Sequence, residues 1–455
     1  MSLDNLPVEW EKSYLNDVIN VIRGITYKKQ DASDIKLEKY LPVLRANSIQ
    51  NGQMILDDLV YINSALINDD QLIKKHDILV AMSSGSKNLV GKSAIAKEDI
   101  DAGFGAFCAI LRPCKLIDPK YVGLFTFSID YRNKISELSA GANINNLKPS
   151  HFSDIPFPIP PLAEQQEIVR QLDVMLAQVE QIKARLDAIP AILKKFRQSV
   201  LADAVSGKLL DENADIWQEN FLSDLTLKIT DGEHLTPPTV DSGVPLLSAK
   251  DVHEQYIDFD HCKFIERSIA DKALSRCDPQ YHDLLVVSRG ATVGRTHYLK
   301  NSQEFCLMGS VLLIRANMEL INPAYLDIFF KSELGRKQLI SSSGASAQQA
   351  IYIRDVKKMK ISYPNMEIQE KIILKVSELL KFIDQIEKTI QSTQKRVNLL
   401  TQSILAKAFS GELTAEWREQ HQELITGANS AESLLTKIQA QREASKPVKK
   451  AKKVK

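Results

Sequence analysis

The feature that most constrains this chain is an internal duplication with a period of roughly 204 residues, the offset between Ile117 and Ile321. Short runs return in the same order in both copies, such as residues 77–80 (DILV) and 283–286 (DLLV). A period of this size indicates two related domains and not the units of a solenoid. The 455 residues suffice for two or three domains with their own cores.

In each copy, an irregular stretch of short apolar runs gives way to a regular periodic pattern at a proline-rich junction. Residues 155–161 (IPFPIPP) and 361–364 (ISYP) cannot lie inside helices, because proline lacks an N–H donor and holds its predecessor in extended geometry. After each junction, apolar residues recur at alternating spacings of four and three, which predicts coiled-coil helices. The first seam contains Ile168, Leu172, Met175, Val179, Ile182 and Leu186 and continues to Val200; the second contains Ile372, Val376, Leu379, Ile383, Ile386 and Ile390 and continues to Ile404.

Each seam covers about 33 residues, so each helix should be roughly 50 Å long and should need a partner for its apolar stripe. Because a globular domain lies between the two seams, the second helix can return beside the first, with one domain near each end. Pro190 interrupts the first seam and is expected to kink that helix. The alternative is a break there between two shorter helices.

The predicted fold class is α+β, with two globular α/β domains separated by two long antiparallel coiled-coil helices in a pseudo-twofold internal repeat. We call the two globular domains the first head (1–157) and the second head (211–360). The first long helix occupies a central region (158–210) and the second a distal region (361–413). A C-terminal segment (414–455) ends in a lysine-rich tail.

Composition excludes several classes of protein. The net charge is only +1, so any binding of nucleic acid must rest on local patches or on the tail. No apolar run approaches the ~18 residues that a membrane span needs, and the N-terminus resembles no signal peptide, so we expect a cytoplasmic protein without a membrane partner. The five cysteines are odd in number and form no C-x-x-C pair, which argues against a disulfide framework or a zinc site.

Two apparent catalytic motifs fail on inspection. Residues 85–93 look like a phosphate-binding loop, but their glycines are one residue too far apart, and the second copy (289–296) has another spacing and no lysine. The shared feature is therefore a glycine turn between strands. Residues 322–325 (NPAY) resemble the Asn-Pro-Pro-Tyr pocket with which adenine methyltransferases hold a flipped base, but the first copy has DPKY (118–121). A helix cap followed by proline explains both motifs locally. No nucleophile triad, metal cluster or carboxylate pair is evident, so the chain is expected to perform no chemistry itself.

The organisation as a whole resembles the specificity subunit of type I restriction-modification systems. Each variable head is followed by a proline-rich junction, a polar helix start (164–167, EQQE; 367–370, EIQE) and a heptad helix that ends in SGKL (206–209) or SGEL (410–413). Residues 189–201 (IPAILKKFRQSVL) and 409–418 (FSGELTAEWR) are similar to the central and distal regions of the enterobacterial K-type branch. The resemblance covers nearly the whole chain.

This resemblance implies two target recognition domains, each reading half of a bipartite site in double-stranded DNA, with the helices as spacer. It also implies docking of two modification (methyltransferase) subunits, with restriction (translocase and nuclease) subunits joining through them. S-adenosylmethionine, ATP and Mg²⁺ would bind to those partners, and no cofactor to this chain. Heads about 50 Å apart would sit at most about fifteen base pairs apart on B-form DNA.

Three polar loops in the heads are candidate DNA contacts. The first follows the strand that starts at Asp77 or Asp283, the second follows a Gly-Ala pair, and the third lies near the start of the second head. Arginine can pair with guanine, and Asn or Gln with adenine, although phosphate or solvent contacts are equally compatible with these side chains. The candidates are Lys87, Asn88, Lys92, Arg289, Thr292, Arg295 and Thr296 in the first loop, Asn143, Asn145, Asn146, Gln348 and Gln349 in the second, and Asp231, His234 and Thr236 in the third.

Two other hypotheses remain open at this point. A coiled-coil structural organiser would dimerise through its heptads and would have heads that are indifferent to DNA sequence. A nucleotide-binding enzyme would bind ATP through residues 85–93, against which the failed spacing counts.

Overall fold

The structure, a computed structural model, describes residues 5–139, 145–210, 217–341 and 350–445. The chain forms two compact units: Met1–Ala184 with Thr393–Lys455, and Arg185–Ser392. The first unit contains the first head and the second unit the second head. Both boundaries between the units fall inside the two long helices, so each unit also contains part of each helix. The predicted limits between heads and helices stay a prediction.

The described part of the first head consists of short strands, short α-helices and 3-10 turns. Its helices are α1 (Leu15–Val18), α2 (Pro119–Phe125) and α3 (Ile129–Leu138). Its strands are β1 (Glu11–Tyr14), β2 (Ile19–Arg23), β3 (Ala32–Ser33), β4 (Tyr40–Leu44), β5 (Ile49–Gln50), β6 (Gln53–Met54), β7 (Val60–Asn63), β8 (Ile78–Ala81), β9 (Ser83–Ser84), β10 (Ser93–Ile95), β11 (Gly103–Phe104), β12 (Cys108–Pro113), β13 (Asn145–Asn146) and β14 (Pro156–Ile159).

The central sheet of the first head has the order β10-β8-β12-β2 and is antiparallel throughout. Both faces of β8 are buried, as its unbroken apolar run predicts. Ile78 and Val80 face a core shared with α2, α3 and the ends of the long helices, whereas Leu79 and Ala81 face a smaller core. That smaller core lies against a second sheet of order β11-β4-β7-β3.

The second head repeats this design. Its helices are α5 (Arg267–Arg276), α6 (Pro323–Lys331), α7 (Glu333–Ser341) and α8 (Ile353–Val356). Its strands are β15 (Gln218–Phe221), β16 (Thr226–Asp231), β17 (Val244–Leu247), β18 (Lys263–Ile265), β19 (Leu284–Val287), β20 (Thr296–Tyr298), β21 (Cys306–Leu307), β22 (Val311–Ala316) and β23 (Lys360–Tyr363). The central sheet has the equivalent order β16-β22-β19-β20, and the smaller sheet is β18-β17-β21.

The same ion pair anchors both central sheets. Arg112 on β12 donates from Nε and Nη2 to Asp77, at 2.8 and 2.6 Å, and Arg315 on β22 donates to Asp283 at 2.9 and 2.8 Å. Both carboxylates are almost fully buried. A buried carboxylate needs such a charged partner, because desolvation would otherwise favour its neutral form. The hydrogen bonds to Asp77 and Asp283 raise the pKa of the two arginines.

The two long helices are α4 (Leu162–Ser206) and α9 (Met366–Ser410), each of 45 residues and therefore about 68 Å long. They extend beyond the heptad seams at both ends. The helix α4 continues through Pro190, so the alternative of two shorter helices is wrong. The predicted α+β class is confirmed.

The helices pack antiparallel within each unit. In the second unit Leu193 contacts Ile383 and Ile390, whereas Val200 and later residues of α4 share a core with Ile372 and Val376. In the first unit the start of α4 shares a core with the end of α9. Of the predicted seam residues, Ile168, Leu172, Val179, Ile372, Val376, Ile383 and Ile390 are buried, Met175, Leu186, Leu379 and Ile386 are half-buried, and Ile182 is 43% exposed.

An amide at the start of each long helix fastens it to its head. Gln165 accepts a hydrogen bond from the backbone N–H of Asp118, and Gln369 accepts the same bond from Asn322. The Asp118 and Asn322 side chains cap α2 and α6, each with proline at the first position. The capping interpretation of the DPKY and NPAY motifs is confirmed.

A C-terminal segment with α10 (Ala415–Gln420) and α11 (Ala431–Ser445) completes the first unit. Arg418 donates to the fully buried carboxylate of Glu164 from Nε at 3.0 Å and from Nη2 at 2.7 Å. Trp10 and Thr414 donate to the same carboxylate at 2.9 and 2.7 Å. Four donors thus compensate the charge of one buried carboxylate.

Candidate nucleic-acid interface

One end of the central sheet in the first head carries a ladder of three backbone segments. The N–H of Met82 donates to the carbonyl of Phe107, and the N–H of Leu147 donates to the carbonyl of Met82. Beside it, Ser83 pairs with Asn146. Because neighbouring strands lie about 4.8 Å apart, this pattern brings Phe107, Ser83 and Asn146 to the same end of the sheet.

The second head forms the same ladder from different residues. The N–H of Ser288 donates to the carbonyl of Ser310, and the N–H of Ile351 donates to the carbonyl of Ser288. Arg289 forms a bridge with Ala350. We call these two places the loop edge of each head; they are made of Ser83, Phe107 and Asn146 in the first head and Arg289, Ser310 and Ala350 in the second.

The first candidate loop joins two antiparallel strands in each head, as the sequence predicts. In the first head it links β8 to β10, and in the second β19 to β20. Gly91 and Gly294 occupy the equivalent turn position with positive φ, which favours glycine. A hairpin here, in place of a strand-to-helix connection, lacks the context that a phosphate-binding loop requires.

In the first head, α3 holds this loop through its backbone. Arg132 donates to the carbonyls of Asn88 and Val90, at 2.7 and 3.0 Å. The side chains of Lys87 and Asn88 are exposed, and Lys92 is half-buried. A fixed backbone with exposed polar side chains is an arrangement suited to binding a ligand at low entropic cost.

In the second head the four candidates of this loop differ in accessibility. Arg289 is exposed and Thr292 half-buried. Arg295 is half-buried and donates to the carbonyl of Val252 at 3.1 Å. Thr296 lies in β20 and is only 3% exposed. Arg289 is therefore the member of this group that is best placed for a ligand.

The second candidate loop reaches the loop edge through β13. Asn145 and Asn146 pair with Ser84 and Ser83, with Asn146 the more exposed. Asn143 of the first head and Gln348 and Gln349 of the second lie outside the described residues, as does the tail from residue 446.

The third candidate loop starts where β16 ends. Asp231 is mostly buried, whereas His234 and Thr236 are exposed. A Cβ atom on Gly232 would lie 1.8 Å from the carbonyl oxygen of Leu307, so only glycine allows this approach. A Cβ atom on Gly24 of the first head would lie 2.1 Å from the Gly105 carbonyl oxygen, so the two heads share this backbone position although their side chains differ.

Two exposed residues at these places were not predicted from the sequence, because no motif or repeat marks them. Phe107 is 71% exposed on the first loop edge. Arg276, at the end of α5, contacts both Asp231 and His234. It lies 45 residues from Asp231, and only tertiary structure brings the two together.

Two features of the described residues concern metal binding and nucleophilic side chains. No group of three or more His, Cys, Asp or Glu side chains in them is placed to hold a metal ion. The five cysteines are free, and burial raises the pKa of Cys108 and Cys277 to about 12, so these two thiols are poor nucleophiles at neutral pH. In the same part of the chain, no helix is long and apolar enough to cross a membrane.

Comparison with known proteins identifies the family. The model of the type I restriction modification DNA specificity domain matches residues 7–191 and 239–396. The EcoKI specificity subunit of Escherichia coli K12 is 43% identical, and the StySPI specificity subunit of Salmonella potsdam is 40% identical; each match covers 98% of both chains.

Solved structures share the fold. The HsdS subunit from Thermoanaerobacter tengcongensis covers 90% of this chain and 99% of its own length, with a TM-score of 0.60 and 17% identity. A chain from a study of complex assembly in a type I restriction-modification system matches over the same shares, with a TM-score of 0.68 and 17% identity. The resemblance drawn from the sequence is confirmed: this chain belongs to the type I restriction-modification DNA specificity family and is a specificity subunit, which is not catalytic.

Proposed function

We propose that each head reads one half of a bipartite DNA site and that its loop edge is the surface that contacts the bases. The observation that carries this proposal is that both heads build the same backbone ladder but present different side chains on it. Contacts to base edges specify a sequence, whereas phosphate contacts only position the protein. Two different loop edges on one scaffold therefore suit an asymmetric site.

Of the predicted contact residues, the proposal rests most on the exposed ones. These are Lys87, Asn88, Asn146, Arg289, His234 and Thr236. Arg289 can pair with the O6 and N7 acceptors of guanine, and Asn146 with N6 and N7 of adenine. Thr296 and Arg295 support the loop from within, because the first is buried and the second is bound to the Val252 carbonyl.

The long helices would set the gap between half-sites and dock two methyltransferase subunits, through which restriction subunits join. S-adenosylmethionine, ATP and Mg²⁺ would bind on those partners. Support comes from exposed apolar side chains on the long helices, including Ile192, Leu374 and Phe382. Because the ligand would be chromosomal DNA, the chain would act in the cytoplasm.

The first experiment is to co-express the chain with its methyltransferase subunits and to map adenine methylation across a genome by single-molecule sequencing. We expect a motif in two parts separated by a fixed gap. Exchanging residues 211–360 for those of a relative should change one part and leave the other intact. A continuous motif, or methylation that survives deletion of a head, would refute the proposal and favour the structural organiser.

A second experiment tests the spacer. Inserting one heptad into both helices adds about 10 Å to each, equivalent to about three base pairs. The gap should lengthen by that amount while both half-sites stay unchanged. The matched control inserts the heptad into α4 alone, which leaves the two seams unequal and should abolish methylation. An unchanged gap in the double insertion would show that the helices do not measure it.

A further inference from the structure

Arg276 is held in a defined position at the C-terminal end of α5. Its Nη2 lies 2.7 Å from Oδ1 of Asp231 and 3.0 Å from Nε2 of His234. Its side chain is nevertheless 44% exposed, whereas that of Asp231 is only 11% exposed. The guanidinium is thus anchored on one side by a nearly buried carboxylate and open to solvent on the other.

These contacts determine which hydrogen-bond donors of Arg276 are used within the cluster. Nη2 of Arg276 lies between Oδ1 of Asp231 and Nε2 of His234, and the same nitrogen of His234 lies 3.5 Å from Oδ2 of Asp231. Both contacts are made by Nη2. Among the described residues, Nε and Nη1 of Arg276 have no hydrogen-bond partner. Nη1 therefore keeps two N–H donors, directed by a guanidinium whose rotation is already restricted.

The cluster lies beside the second loop edge, because Asp231 pairs with Leu312, two residues after Ser310. Asp231 is the last residue of β16, and the next residue is Gly232, which packs directly against the Leu307 carbonyl. In the first head, Arg23 ends β2 at the position equivalent to Asp231 and is exposed. Each head therefore places one arginine at this corner, from a strand in the first head and from a helix in the second.

We propose that Arg276 reads a guanine in the half-site of the second head, and that Asp231 and His234 are its positioning residues. The proposal rests on the proposed function and deepens it. The two N–H groups of Nη1 can bridge O6 and N7 of one guanine, as the single nitrogen of a lysine does. Asp231 and His234 restrict the side chain before binding, which lowers the entropic cost of the contact.

The test uses the chain assembled with its methyltransferase subunits and duplexes that carry the mapped motif. Each guanine of the second half-site is replaced in turn by 7-deazaguanine, which lacks the N7 acceptor. One replacement should weaken binding by the wild type roughly tenfold, and the same replacement should have no effect on Arg276→Ala. Asp231→Asn should reduce this discrimination, with unfolding temperature recorded to separate positioning from folding.

Arg267→Ala is the matched control, because Arg267 lies at the other end of the same helix and pairs with Asp271 and Glu304. It should retain the full response to 7-deazaguanine. If Arg276→Ala weakens all sequences equally and lowers the salt dependence by about one charge, Arg276 contacts phosphate and the proposal is wrong. If no guanine responds in the wild type, the proposal is also wrong. Failure of the wild type to prefer its motif would instead refute the proposed function.

Discussion

The two heads share their buried contacts and differ in their exposed ones. Strand order, the arginine–aspartate pair, the helix caps and the amide that fastens each long helix occur in both. The loop edges carry Phe107 and Asn146 in one head and Arg289 in the other. Buried polar groups must keep their partners, whereas an exposed side chain can change without cost to the fold.

The two units differ at one buried position, and a substitution there is expected to have the largest effect on stability. Glu164 is fully buried at the start of α4, and the equivalent residue of α9, one before Gln369, is Ile368. Arg418→Ala would leave the Glu164 carboxylate without its charged partner. We expect it to destabilise the first unit by about 3–5 kcal/mol, measured by denaturant unfolding of the full chain.

The double variant Glu164→Leu with Arg418→Met is the control for this prediction. It replaces the pair by apolar side chains, as the second unit does with Ile368. It should cost less than Arg418→Ala because no buried charge is left unpaired, although Trp10 and Thr414 lose their common acceptor. Equal losses in the single and double variants would mean that the ion pair itself, and not the unpaired carboxylate, determines stability.

The arginine–aspartate ion pair that both heads share tests whether the two central sheets are equally stabilised by it. Arg112→Leu and Arg315→Leu each remove two hydrogen bonds to a buried aspartate. Each substitution should lower the free energy of unfolding by about 2–3 kcal/mol. The loss is not larger because part of each arginine is exposed to solvent, which weakens the ion pair. Hydrogen exchange in the full chain can assign each loss to its own head. Strongly unequal losses would show that the two central sheets do not depend equally on the pair.

A smaller effect is expected at the loop edges. Phe107 is 71% exposed, and at the equivalent ladder position Ser310 accepts a hydrogen bond from the backbone N–H of Ala249. We expect Phe107→Ala to weaken binding of the specific duplex by about 1–2 kcal/mol, through loss of apolar contact with a base, and to leave stability unchanged. Phe221→Ala, at another exposed phenylalanine, is the control. Equal effects of the two variants would remove Phe107 from the DNA surface.

The sequence predicted the parts of the molecule that depend on periodicity. The heptads predicted both long helices, and the duplication predicted two related heads, because burying a stripe or a strand requires a regular pattern. The contact of Arg276 with Asp231 has no such pattern, since two segments 45 residues apart meet only in the folded head. The division of each long helix between two units was likewise not predicted, because a continuous seam does not reveal which head it packs against.

The smallest expected difference between the heads is a response to acid. His297 on β20 pairs with Leu285, and the equivalent partner of Leu79 on β10 is the buried Ala94. Nδ1 of His297 donates to the carbonyl of His253 at 2.9 Å. Burial lowers the pKa of His297, with a smaller contribution from Lys331.

The direction of this pKa shift determines how the stability of the second head changes with pH. As the pH falls below about 6.5, the unfolded chain binds a proton at His297 before the folded chain does. The contribution of His297 to the free energy of unfolding is therefore complete above that pH and is lost as the pH falls below it. Hydrogen exchange of second-head amides between pH 7.5 and 5.5, corrected for intrinsic rates, should reveal the loss. His297→Ala, which gives the second head the residue of the first, should flatten the response. A response that persists undiminished in this variant would place the acid sensitivity elsewhere in the head.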